Sequence, residues 1–182
     1  GFAATMLARL AGYEGRAVVW CRRPARGFRP GLYGAGLARY GLDPTHLLLA
    51  QARDSQGVLW SMEECLRSRA VAAVLGEPDR ADLTARRRLQ LAAEDNGVAA
   101  LLLLDAKTAE SPGPALTRWR VTGAPAPPDR SAWRVELLKC RDGGRPDAWT
   151  LEWRPKNGFD NENGDAAGGL RLAAPFRNGS DK

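Results

Sequence analysis

The sequence predicts an α/β fold: a parallel sheet core with helices on both faces, followed by a C-terminal antiparallel extension of that sheet. Two observations predict the parallel part. Four short apolar segments lack the polar–apolar alternation of half-exposed strands, and helical segments separate them. A third observation predicts the extension, because the segments beyond Asp105 do alternate, as strands of an antiparallel sheet with one solvated face do.

Each element of the parallel part has its own signal. Apolar residues recur every fourth position from Phe2 to Leu10 and predict a first helix. Asp54 or Ser55 is placed to cap a later helix, and Thr84 to cap another. The remaining predictions are a short helix at Leu32–Tyr40 and buried strands at Arg16–Cys21, His46–Gln51, Val71–Gly76 and Val98–Leu104.

The antiparallel extension is predicted from three alternating segments joined by turns rich in proline and glycine: Thr117–Val121, Trp133–Cys140 and Ala148–Trp153. We expect no domain boundary before them, so residues 1–153 form one domain. Residues 154–182 are expected to form a flexible C-terminal tail, because glycine, asparagine and aspartate dominate its first half.

The tail carries a short apolar motif, Leu170, Leu172 and Phe176, which we predict to bind a partner. Pro175 would end a helix begun at Gly169 after barely one turn, so an extended segment added to a sheet edge is the expected mode of binding. The segment would dock on its own domain or on another protein, and both alternatives stay open.

Composition excludes several classes of protein. With 44% apolar residues the chain can bury one sizeable core, but its longest apolar run, Val98–Leu104, is too short to span a bilayer. We see no secretory signal, and three widely spaced cysteines fit neither a disulfide framework nor a zinc site. The single histidine, His46, excludes a multi-histidine metal site. We therefore expect a cytoplasmic protein without a bound metal or cofactor.

Positive charge is concentrated in the first 50 residues, which hold seven arginines and two acidic residues, while the whole chain carries a net charge of +6. Arg22, Arg23, Arg26 and Arg29 follow a predicted strand directly, at the edge where α/β sheets bind ligands. We predict a basic patch there that contacts an acidic partner or a nucleic-acid backbone. A solvated loop without a partner is the competing interpretation.

No catalytic motif stands out. The phosphate-binding pattern GxxxxGK[ST] does not occur. The adjacent acidic pairs Glu63-Glu64 and Glu94-Asp95 lie on predicted helices, where neighbouring side chains diverge and suit solvent better than acid–base chemistry. Most tryptophans lie on predicted strands, where packing explains them. Trp60, in a helix, is the one whose exposure would be informative.

Several long segments resemble the ImuA family of RecA-like, SulA-related accessory proteins of bacterial inducible mutagenesis. The resemblance covers residues 1–153 and rests on LYGAGLARYGLDPTHLLLAQ, LWSMEECLRSRAVAAVLGE, LTARRRLQLAAEDNGVAALLLL and WRVELLKCRDGGRPDAWTLEW. It implies a RecA-like mixed sheet, and it lets the chain be compared with a working RecA-type ATPase.

That comparison implies a degenerate nucleotide site. Gly1 and Phe2 stand where a phosphate-binding loop has its glycine and lysine, and Gly76-Glu77 ends the strand that would present a magnesium-binding aspartate. The arginine pair 22–23 stands near the position of the glutamate that activates water, and arginine cannot act as a general base because it stays protonated. We therefore predict a pseudo-ATPase that is not an enzyme.

The start of the chain carries a further expectation. It begins inside the first predicted helix, whereas the resemblance implies an earlier central strand. We therefore expect an N-terminally truncated domain with a slot in the middle of its sheet, which another segment or a partner must fill.

The resemblance implies a protein–protein role in translesion synthesis after DNA damage. ImuA proteins are similar to adaptors that work with ImuB, an inactive Y-family-like polymerase, and with an error-prone C-family polymerase. A protein with a RecA-like shape could also dock on RecA. Two alternatives stay open: a direct single-stranded DNA-binding protein using the arginine loop, and a SulA-like inhibitor of cell division. Self-association is compatible with each of these functions.

Overall fold

A computed structural model describes residues 1–11, 16–24, 31–106, 113–141, 143–145, 147–155 and 169–175. The helices are α1 (Phe2–Ala11), α2 (Gly34–Arg39), α3 (Ser55–Leu66) and α4 (Leu83–Asn96). The first four strands are β1 (Ala17–Arg22), β2 (Leu47–Gln51), β3 (Val71–Glu77) and β4 (Ala99–Leu102). The last four are β5 (Thr117–Ala124), β6 (Ser131–Cys140), β7 (Asp147–Arg154) and β8 (Gly169–Pro175).

The first four strands form a parallel sheet in the order β2-β1-β3-β4. β3 pairs with β4 from Ala73 opposite Ala99 to Gly76 opposite Leu102. Each strand is therefore hydrogen-bonded directly to the next one in this order. The prediction of a slot in the middle of the sheet is wrong for the described residues. β3 and β4 pair directly, so no strand lies between them.

Helices cover both faces of this sheet, as the uninterrupted apolar strands predict. On one face α1 and α2 bury Ala4, Leu7 and Leu37 against Val18 and Leu75. On the other face α3 and α4 form a second core cluster, which contains Val19, Val58, Met62, Leu66, Val74 and Leu89. Adjacent residues of β1 and β3 point to opposite faces, so both clusters need apolar side chains at successive positions.

The helix boundaries follow identifiable caps. The Asp54 carboxylate accepts a hydrogen bond of 2.8 Å from the Gly57 N–H and begins α3, as predicted. The cap of α4 is Asp82, two residues before the predicted cap at Thr84, and it accepts a 2.7 Å hydrogen bond from the Ala85 N–H. Gly97 ends α4 with a φ of 64°, in the left-handed region that glycine adopts without strain.

The strand β2 is more exposed than the sequence predicts. Its apolar run led us to expect a buried strand, but Leu48 and Leu49 are 57% and 45% exposed. The reason is its place in the sheet order, because an edge strand has a neighbour on one side and the helices pack over the central strands.

The alternating segments form a separate antiparallel sheet, in the order β5-β6-β7-β8, and not an extension of the parallel one. One face of this sheet is apolar and packs on the ends of α1 and α2. Trp133 lies edge-on to Phe2 with ring centroids 5.7 Å apart, and the Trp153 indole N–H donates to the Arg39 carbonyl at 2.8 Å.

Part of the predicted tail is the eighth strand. Leu170 lies opposite Trp153 and Leu172 opposite Leu151 in the antiparallel β7–β8 pair. The segment is extended, as Pro175 led us to expect, and it is added to the edge of the second sheet. Phe176 lies outside the described residues. Partner binding by this segment stays a prediction.

No helix within the described ranges is long and apolar enough to cross a membrane.

Candidate functional site at the carboxyl edge of the parallel sheet

The carboxyl ends of β1 and β3 lie side by side, at the edge where open α/β sheets bind ligands. Arg22 and Glu77 are register partners at the ends of these strands. The Glu77 carboxylate accepts a 3.0 Å hydrogen bond from the Trp20 indole N–H, and its other oxygen lies 3.6 Å from Arg22 Nε. Arg22 is only 8% exposed. Glu77 is therefore held by its own chain on both carboxylate oxygens.

A second ion pair extends this arrangement. Arg23, the next residue along, forms an ion pair and hydrogen bond with Asp79, which follows β3. The backbone N–H of Asp79 donates to Ser55 Oγ at 3.0 Å, so the start of α3 is tied to the same edge. The two arginines that end or follow β1 are thus matched by two carboxylates that end or follow β3.

These contacts involve the first two residues of the predicted arginine patch, which stays a prediction. Arg22 is buried against Glu77 and Arg23 is half-buried against Asp79, so neither presents an unneutralised charge at the surface. The prediction missed this because the acidic partners lie more than fifty residues further along the chain. Arg26 and Arg29 lie outside the described residues.

The residues of the predicted nucleotide site have two different sets of neighbours. Gly1 and Phe2, at the start of α1, lie against Trp133 of the antiparallel sheet. Gly76 lies in β3, where a Cβ would overlap the buried Met62 side chain, and Glu77 contacts Trp20 and Arg22 as described. An aromatic cluster thus lies at the helix end where a phosphate-binding loop would hold its ligand.

Beside this edge, α3 and α4 enclose an open groove of about 1510 Å³, which we call the α3–α4 groove. Trp60 and Leu83 stand on its walls and are 62% and 60% exposed, while Leu59 and Leu89 also line it. Trp60 and Leu83 are therefore two exposed apolar side chains beside one groove.

An unexpected carboxylate supports one wall of the groove. Glu63, which we predicted to face solvent, is only 8% exposed. Its carboxylate forms ion pairs with Arg67 at 2.8 Å and with Arg88 at 2.6 Å. Arg67 follows Glu63 by one helical turn, which the sequence spacing could have indicated, but Arg88 comes from α4. The pair with Arg88 links the two helices.

Comparison of the sequence with known proteins identifies its family. Protein ImuA of Caulobacter vibrioides, from strain NA1000 / CB15N and from strain ATCC 19089 / CIP 103742 / CB 15, is 36% identical to this chain over 167 residues. The aligned region covers 83% of this chain. The chain belongs to the ImuA family. The resemblance noted from the sequence is thereby confirmed.

The chain spans 66% of the length of these two ImuA proteins. The crystal structure of SulA from Pseudomonas aeruginosa has a TM-score of 0.46 and 24% sequence identity, covering 57% of this chain and 85% of that one. Such a score is too low to assign either fold or function. No family model matches the chain.

Proposed function

We propose that this member of the ImuA family is a non-catalytic adaptor in translesion synthesis induced by DNA damage. Its proposed partners are an ImuB-like inactive Y-family polymerase and an error-prone C-family polymerase, and RecA is a further proposed partner. The family membership supports the damage-response role, and the internal pairing of Glu77 with Trp20 and Arg22 is the observation that carries the non-catalytic part.

Hydrolysis of ATP needs a group that orients or deprotonates water and charges that stabilise the transferred phosphoryl group. At the carboxyl edge Glu77 is held by Arg22, and Arg23 is held by Asp79. Recruiting any of them for phosphoryl transfer would first break a partly buried ion pair. The start of α1 likewise lies against Trp133 and Tyr40.

The first test measures magnesium-dependent ATP hydrolysis and the shift in melting temperature on adding ATP. We expect neither turnover above background nor a thermal shift. Turnover that disappears in the Glu77→Gln variant would contradict the proposal, because it would show that this carboxylate is free to act in catalysis.

The α3–α4 groove is the surface we propose for a polymerase partner. Trp60 and Leu83 are exposed apolar side chains beside this groove, and the Glu63–Arg88 pair links the two helices that form it. Interfaces draw most of their affinity from a few such side chains that become desolvated on binding.

The second test measures how tightly each polymerase binds the purified chain that carries both Trp60→Ala and Leu83→Ala. We expect the double variant to lose affinity by about tenfold or more. Leu91→Ala is the matched control, since Leu91 is an exposed leucine of the same helix α4 that does not line the groove. Unchanged capture by the double variant would rule out this surface.

Direct binding of single-stranded DNA is less well supported, because Arg22 and Arg23 are already neutralised. Titration with a labelled oligonucleotide at increasing salt separates the two functions. A DNA-binding protein would lose affinity steeply as salt rises, whereas an adaptor would show weak binding throughout. Inhibition of a tubulin-like GTPase would instead support the SulA-like alternative.

The partner contact proposed for the tail has its own test. Leu172 is exposed on β8, whereas Leu170 is half-buried. Deleting residues 169–182 should lower polymerase affinity if the segment binds in trans, and should lower only the melting temperature if it docks within the chain. No change in either measurement would contradict both forms of the prediction.

A further inference from the structure

The antiparallel sheet has one apolar face and one charged face. Trp153 of β7 lies on the face that packs on α1 and α2, so its neighbours Glu152 and Arg154 point to the opposite face. We call this opposite face the arginine face, because its charged strand residues are four arginines and two glutamates. The strand register adds the other four of these residues: Arg120, Arg134, Glu136 and Arg171.

The arginine face carries an excess of two positive charges, since its two glutamates balance only two of its four arginines. Arg120 and Arg134 share one carboxylate, because Glu136 lies 3.2 Å from the first and 2.8 Å from the second. Arg154 and Arg171 are exposed, and no ion pair among the described residues includes Arg154. The guanidinium groups of this face therefore outnumber the carboxylates beside them.

One further arginine borders this face without changing its excess charge. Arg130 precedes β6 and lies 3.6 Å from Glu152, which is the register partner of Arg171. Arg130 also lies 3.4 Å from Asp129, whose negative charge offsets its own. The positive excess is therefore a property of the four strand arginines.

We propose that the arginine face binds an acidic segment of another protein, in which carboxylates alternate with uncharged residues. An arginine guanidinium binds a carboxylate through two parallel hydrogen bonds, and a positive excess favours an anionic partner over a cationic one. The arginine face shares no residue with the α3–α4 groove. It therefore adds a second binding surface to the one proposed for a polymerase.

The two glutamates of this face favour a protein segment over a nucleic acid. The side chains of Glu136 and Glu152 lie among the arginines and are 22% and 29% exposed. A nucleic-acid strand carries a phosphate on every nucleotide, so it would bring negative charge onto these carboxylates. A protein segment places uncharged residues there and carboxylates beside the arginines.

The test measures the fluorescence anisotropy of a labelled peptide in which glutamate and serine alternate, because alternate side chains of an extended chain point to one side. We expect the full chain to bind this peptide. Arg154→Glu together with Arg171→Glu should weaken binding by about tenfold or more, because the excess charge on the arginine face becomes negative.

Arg53→Glu together with Arg69→Glu is the matched control, since both arginines are exposed, lie outside the antiparallel sheet and change the net charge by the same amount. We expect this control to weaken binding by less than about twofold, because salt screens the general effect of net charge. Equal weakening by the two double variants overturns the proposal. Melting temperatures report folding, and the corresponding Arg→Gln variants make the same comparison if a charge reversal unfolds the chain.

An oligothymidylate of the same charge as the peptide distinguishes the two classes of partner. We expect it to bind less tightly than the peptide. Tighter binding of the oligonucleotide that is lost in the Arg154→Glu and Arg171→Glu variant would make the face a nucleic-acid site and overturn the proposal. An unmodified chain that does not bind the peptide overturns it as well.

Discussion

The parallel and antiparallel sheets of this chain are stabilised in different ways. In the parallel sheet, β3 is buried from Val71 to Gly76 because helices cover both of its faces. In the antiparallel sheet, β5 is exposed along most of its length, and the buried side chains lie in β6 and β7: Ala132, Val135, Leu137 and Trp153.

The difference separates the part of the molecule that determines the fold from the parts that are available for binding. Substitutions in the parallel core should act on stability, whereas many substitutions in the antiparallel sheet should leave the fold intact. The carboxyl edge lies between these extremes, because its charges are buried but paired.

Truncating one leucine side chain to alanine in each sheet should have the largest effect and should differ between the two sheets. Leu75→Ala removes a fully buried side chain from β3 and should lower the free energy of unfolding by about 2–5 kcal/mol. Leu138→Ala in β6 should lower it by less than about 1 kcal/mol, since Leu138 is already exposed. Urea denaturation followed by circular dichroism measures both. Equal losses would show that the second sheet is as tightly packed as the first.

The paired charges at the carboxyl edge should respond next most strongly. Glu77→Gln keeps an acceptor for the Trp20 indole but removes the charge opposite the buried Arg22. We expect a loss of about 1.5–3 kcal/mol in the free energy of unfolding. Asp79→Asn, beside the more exposed Arg23, should cost less than about 1 kcal/mol. A larger loss for Asp79→Asn would reverse our ranking of the two ion pairs.

The local parts of the fold could be predicted from the sequence because they depend on nearby residues. The strands β1 and β3 match uninterrupted apolar runs, and Asp54 caps α3 as its position indicates. The short apolar run of β2 looks the same in sequence, yet Leu48 and Leu49 are exposed. Their exposure depends on β2 being the edge strand, which is a property of the sheet order and leaves no local signal.

The site was harder to predict for the same reason. Arg22 looked like a surface residue because three other arginines follow it, but its burial depends on Glu77 from a strand that is distant in sequence. Glu63 looked solvated beside Glu64, and its burial depends on Arg88 of another helix. Long-range ion pairs of this kind are not visible in composition or periodicity.

A smaller effect should follow at the contact between the antiparallel sheet and α2. Trp153→Phe removes the indole N–H that donates to the Arg39 carbonyl, and we expect a loss of about 1 kcal/mol in the free energy of unfolding. Trp149→Phe is the matched control, since Trp149 packs near Trp119 at the other end of the same sheet. A greater loss for Trp149→Phe would place the main support of the sheet at that other end.

The smallest effect at neutral pH, and the most selective, concerns the cysteines of the two sheets. Burial raises the pKa of the Cys21 thiol in β1 from 9.0 to about 12, and the neighbouring Cys65 adds to the rise. Because the folded-state pKa is raised, this thiol stabilises the fold fully below pH 9.0, and the contribution is lost as pH rises from 9.0 to about 12.

In the native protein Cys21 should resist a thiol reagent at neutral pH, while the partly exposed Cys140 of β6 reacts first. Mass spectrometry of the alkylated protein gives the order of modification, and a Cys140→Ser variant that loses the fast phase is the control. Fast modification of Cys21 without unfolding would show that the parallel core opens more readily than its burial indicates.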